Sequence, residues 1–78
     1  MKFKELETVV LDRDLPRSGL RRGDLGAVVH VYEPDGVEVE FVTASGRTQA
    51  LVTLKTSDVR AVNDQDLLSV RPLRHDAA

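Results

Sequence analysis

With 78 residues, the chain has material for one small domain, and with no cysteine it can form neither disulfides nor thiolate metal sites. Its 11 basic and 13 acidic residues give a formal charge of -2, which supplies no global attraction to polyanions. No apolar run approaches the roughly 18 residues that span a membrane, and Met1-Lys2-Phe3-Lys4-Glu5 leads straight into polar sequence, so a cytoplasmic protein without a signal peptide is expected.

In chain order, Leu6-Glu7-Thr8-Val9-Val10-Leu11 reads as the first strand. Val9 and Leu11 share one face, and Val10 gives the other some apolar character. Asp12 to Asp24 follows as a long connection punctuated by Pro16, Gly19 and Gly23, with no periodicity. Loops of such length are often functional. Leu15 and Leu20 are expected to tuck it onto the domain. It holds Arg13, Arg17, Arg21 and Arg22, which read as either a solvated charged loop or a basic recognition loop. Arg22-Gly23-Asp24 matches the integrin-binding tripeptide by coincidence.

The stretch Gly26–Val42 is the organising hairpin. β-Branched and aromatic residues flank Glu33-Pro34-Asp35-Gly36. Pro34 suits the second position of a type I turn and Gly36 a left-handed bulge position, which makes a three-residue loop. Glu33 then closes against Val37, Val31 faces Val39 and Val29 faces Phe41. That register assigns Val29, Val31, Val39 and Phe41 to the core. Val28, His30, Tyr32, Glu38, Glu40 and Val42 lie outside, with His30 opposite Glu40.

Ala44-Ser45-Gly46-Arg47 is a second turn. A fourth strand over Thr48–Leu54 buries Ala50, Val52 and Leu54 in preference to Leu51. Lys55-Thr56-Ser57-Asp58 is a short turn of 3-10 type, and Val59–Val62 a fifth strand. Leu67-Leu68-Ser69-Val70 reads as a short sixth strand or one helical turn, ended by Pro72. The domain is assigned to 1–73, and 74–78 to a disordered tail. Five or six short antiparallel strands with a long first loop make an all-β chain. A small SH3-like barrel is the natural fit.

Two resemblances rest on these residues. Leu20-Arg21-Arg22-Gly23-Asp24-Leu25-Gly26-Ala27-Val28-Val29 followed by Val37-Glu38-Val39-Glu40-Phe41 resembles the KOW-type hairpin of ribosomal and transcription-factor SH3-like barrels. Phe3 to Leu11, Asp14-Leu15-Pro16, Gly23 to Gly26, Val29 to Tyr32 and Val37 to Phe41 together resemble a family of small bacterial proteins catalogued as a domain of unknown function. That resemblance implies an SH3-like fold and transfers no site residues. Some such proteins look like the antitoxin- or immunity-like partner of a neighbouring protein.

No nucleophile constellation is present. The hydroxyl residues fall in strands or turns, and the histidines are His30, on an outward strand face, and His75, in the tail. His30 with Glu38 and Glu40 reads as a surface cross-strand cluster and not as a metal site. No glycine motif has the strand-before, helix-after context of a phosphate loop. The chain is therefore read as a non-enzyme without cofactor or metal. The leading function is a protein-interaction module that uses Arg13, Arg17, Arg21, Arg22, Val28, His30, Tyr32 and Val42 against a partner with an acidic surface. The alternative is an RNA- or ribosome-associated domain. Against it stand a pI of about 5.6 and only three aromatic residues, Phe3, Tyr32 and Phe41.

Overall fold

A computed structural model describes residues 3–73; the tail assigned to 74–78, with His75, lies outside the described residues. The chain is all-β. Five antiparallel strands form one sheet: β1 (Thr8–Leu11), β2 (Leu25–Tyr32), β3 (Gly36–Val42), β4 (Thr48–Lys55) and β5 (Val59–Ala61), in the order β4-β3-β2-β1-β5. The first four strands follow one another as a meander, and β5 returns beside β1. No ladder joins β4 to β5 among the described residues.

The sheet cannot be flat. In a flat sheet β4 and β5 would stand four strand spacings apart, roughly 19 Å. They are joined only by the single 3-10 turn Thr56–Asp58, whose three residues rise about 6 Å. The sheet must coil until the last residue of β4 and the first of β5 approach, and the core shows the result. Val9, Leu11, Val28, Val37, Val39, Phe41, Leu54 and Val59, drawn from all five strands, form one buried cluster with Phe3 and Leu20. As expected, Val9 and Leu11 are fully buried, Ala50 and Val52 pack against the core, and Leu51 faces out.

The central hairpin is present but its register is not the expected one. The Glu33–Pro34 peptide is cis, and the loop Glu33-Pro34-Asp35 closes on the pair Tyr32–Gly36. Val31 faces Val37 and His30 faces Glu38; a bulge between Val28 and His30 then sets Val28 opposite Val39. Gly36 is not in a left-handed conformation. The extra residue reverses the alternation within β2. Val28, expected outside, is therefore fully buried, and Val29, expected in the core, is only half-buried. Val37 joins the core in its place.

Two further expectations are corrected. Leu6 does not extend β1; it adopts a left-handed turn (φ 72) in which its N–H donates to Val28 O at 2.6 Å. Leu67–Val70 forms neither a strand nor a helical turn. Asp66 and Arg71, on either side of it, are tied elsewhere by ion pairs. The segment between lies exposed, Leu67 at 91% and Val70 at 98%. No helix among the described residues is long and apolar enough to cross a membrane.

Candidate functional site

The first loop, read as structureless, is tightly tied. Leu15 and Leu20 exchange both backbone hydrogen bonds, at 3.0 and 3.1 Å, which closes a small ring around the 3-10 turn Pro16–Ser18. Gly19 leaves that turn in a left-handed conformation, with φ 72. Leu20 is buried and Leu15 packs on the core, as expected. Carboxylates fasten the rest. Asp14 Oδ1 accepts the Arg22 N–H at 2.8 Å, Asp24 Oδ2 accepts the Arg21 N–H at 2.8 Å, and Gln49 of β4 reaches across to donate to Ser18 O at 3.1 Å.

A second tie comes from far along the chain. Arg71 grips Asp24 with two nitrogens, Nε to Oδ1 at 2.9 Å and an η-nitrogen to Oδ2 at 2.6 Å, and also donates to Gly19 O at 3.1 Å. Burial pushes the Asp24 carboxyl up, but the Arg71 hydrogen bonds and the Arg21 N–H outweigh it and hold the group below the usual carboxylate range. This grip brings the C-terminal segment against the loop and completes a groove of about 770 Å³. Pro16, Leu20, Ala50 and Leu73 give it apolar wall, and Arg17 and Arg21 give it positive charge, that of Arg71 being met by Asp24. No aromatic ring among the described residues lines it. Among the described residues Asp14 is its one acidic residue and is committed to the Arg22 backbone.

The loop arginines separate into two kinds. Arg13 pairs with Asp58 at 3.6 Å, and Arg22 with Asp12 at 3.0 Å. Arg17 and Arg21 make no side-chain ion pair or hydrogen bond among the described residues, and both line the groove.

The outer stripe expected beside them is broken. Val28 is in the core. His30 and Tyr32 stay together outside, ring edge against face at 4.4 Å, with His30 Nδ1 3.8 Å from Glu5. His30 stands opposite Glu38 and not Glu40, whose carboxylate instead accepts from the Thr48 hydroxyl at 2.5 Å. Val42 is exposed, at the opposite end of the hairpin from Tyr32. Among the described residues no three His, Cys, Asp or Glu side chains converge as metal ligands.

Sequence reasoning missed Arg71, Gln49 and Leu73. Arg71 stood at the end of a segment read as strand or helical turn, and its partner lies 47 residues away. Nothing local signals such a pair.

The model of one family, a domain of unknown function (DUF4926), matches residues 5–61, most of the chain. The chain belongs to that family. The matched range takes in all five strands and ends where β5 ends, so Arg71 and Leu73 fall beyond it. No curated protein and no solved structure matches the chain.

Proposed function

We propose that this DUF4926 protein is a non-catalytic binding module that receives an acidic surface of a protein partner at the groove between the first loop and β4. The observation that carries the reading is the state of Arg17 and Arg21. Both guanidinium groups line the groove without an ion pair or side-chain hydrogen bond among the described residues, the Arg21 charge acting on Asp24 only from beyond contact. Arg13, Arg22, Arg60 and Arg71 each have an aspartate. Planar guanidinium groups beside apolar wall suit bidentate carboxylates. The attraction is local, because the chain as a whole carries -2.

RNA binding, the second reading, calls for exposed rings on which bases stack. Phe3 and Phe41 are buried, which leaves Tyr32. The product of a neighbouring gene is the first partner to test, in keeping with an immunity- or antitoxin-like role. Replacing Arg17 and Arg21 together with Ala should weaken that complex at least about tenfold and flatten its salt dependence. Unchanged affinity in the double variant would refute the proposal.

A further inference from the structure

The two edges of the sheet are protected unequally. β5 is three residues long and carries Arg60, the kind of short, charged edge that resists pairing with another chain. β4 is eight residues long, Thr48-Gln49-Ala50-Leu51-Val52-Thr53-Leu54-Lys55, and its single charge stands at its last residue. Leu51, in its middle, is 55% exposed.

The hydrogen-bond parity of β4 shows what that edge offers. Thr56 N donates to Asp35 O at 2.8 Å, and the pairs Val37–Leu54, Val39–Val52 and Phe41–Ala50 continue the same register. In an antiparallel ladder, hydrogen-bonded pairs alternate. From Ala50 to Leu54, up to the bulge at Gln49 where the register shifts, the even-numbered residues of β4 therefore bond to β3, and the main-chain N–H and C=O of Leu51 and Thr53 point away from it. The arginine groove adjoins this edge directly, since Gln49 and Ala50 belong to both.

We propose that β4 is the docking edge and that the protein partner adds an extended acidic segment to it as a sixth strand. The main chain of the segment pairs with Leu51 and Thr53. Its acidic side chains reach Arg17 and Arg21, and its alternate apolar side chains lie beside Leu51. Charge complementarity selects the occupant: a segment with carboxylates every second residue meets the groove's unpaired cations and leaves its other face apolar. This inference rests on the groove reading above and adds the mode of docking.

The test uses the whole chain and a blocked ten-residue peptide of alternating valine and glutamate. Thr53→Pro removes one outward N–H without removing a β3–β4 bond, a position where an edge strand accepts proline. Peptide binding should shift and slow the exchange of the Leu51 and Thr53 amides and fall about tenfold or more in Thr53→Pro. A peptide N-methylated at alternate residues should fail equally, so the result does not depend on the folding of the proline variant. Binding lost in Arg17→Ala/Arg21→Ala but unaffected by both Thr53→Pro and N-methylation would overturn strand addition and leave the groove reading standing. No amide shift at millimolar peptide would overturn both. A dimer in sedimentation that Thr53→Pro dissociates would assign the edge to a second copy, and preference for an oligouridylate over the peptide would assign the site to RNA; either overturns the proposal.

Discussion

Phe41 rests on the bare backbone of Gly26. A Cβ at Gly26 would come 2.8 Å from Cε2 and 3.0 Å from Cδ2 of the ring, and 2.6 Å from Val39 Cγ1. Both neighbours are buried and have little room to retreat. Gly26→Ala should therefore lower stability by about 1–3 kcal/mol, the usual range for overpacking a filled core. Urea unfolding measures it; an unchanged midpoint would mean that the ring does not sit there.

A second expectation concerns the anchor between Asp24 and Arg71. Because the pair holds the C-terminal segment across the loop, Arg71→Ala should leave the sheet folded but release residues 67–73. Limited proteolysis should then cut that segment several times faster than in the parent protein, at unchanged cleavage elsewhere. Equal rates would show that the ion pair does not restrain it.

Acid sensitivity follows from the same pair and from Asp66. Two Arg60 hydrogen bonds, with the Asn63 N–H, bring the Asp66 carboxyl down to about 2, and Asp24 is also held low. A carboxyl whose folded value lies below its unfolded one stabilises the native state above the unfolded value, near pH 3.9. That contribution fades as pH falls through the folded value. Thermal midpoints should therefore drop between about pH 4 and 2, and the drop should be shallower in Asp24→Asn/Asp66→Asn. The same slope in both proteins would contradict the assignment.

The turns make a contrasting pair. Gly46 sits at φ 90, while Gly36 has no positive φ and would place a Cβ 3.2 Å from Tyr32 Cβ. Gly46→Val should cost on the order of 1–2 kcal/mol, because a β-branched residue resists that conformation. Gly36→Ala should cost clearly less. Denaturation midpoints in the reverse order would overturn the turn assignments.

Proline-rich peptides should not bind. They dock as polyproline II helices between aromatic ridges, and the groove has no ring in its lining among the described residues. Titration with such a peptide to sub-millimolar concentration should leave the amide spectrum unmoved; shifts at Leu20 and Ala50 would defeat this expectation.

How legible this was differs by residue. Strand-forming runs revealed the hairpin, the buried Val9 and Leu11, and the inward set Ala50, Val52 and Leu54, because burial on one face imposes a period of two. The same rule misplaced Val28 and Val29, since one bulged residue shifts the period without leaving a mark in composition. The arginine cluster was visible, but not which of its members were spoken for. Asp12 and Asp58 claim Arg22 and Arg13 only through folding, and that division separates Arg17 and Arg21 from the rest.

The place of β5 beside β1 has a consequence in time. β1 is flanked by β2 on one side and β5 on the other, so Val9 must find both Gly26 and Ala61. Such long-range pairing makes for slow folding. During synthesis the meander through β4 can assemble as it emerges, yet one side of β1 stays unpaired until Ala61 has left the ribosome. A chain that stops at Lys55 would expose that side permanently, an open strand ready to recruit a neighbour and aggregate.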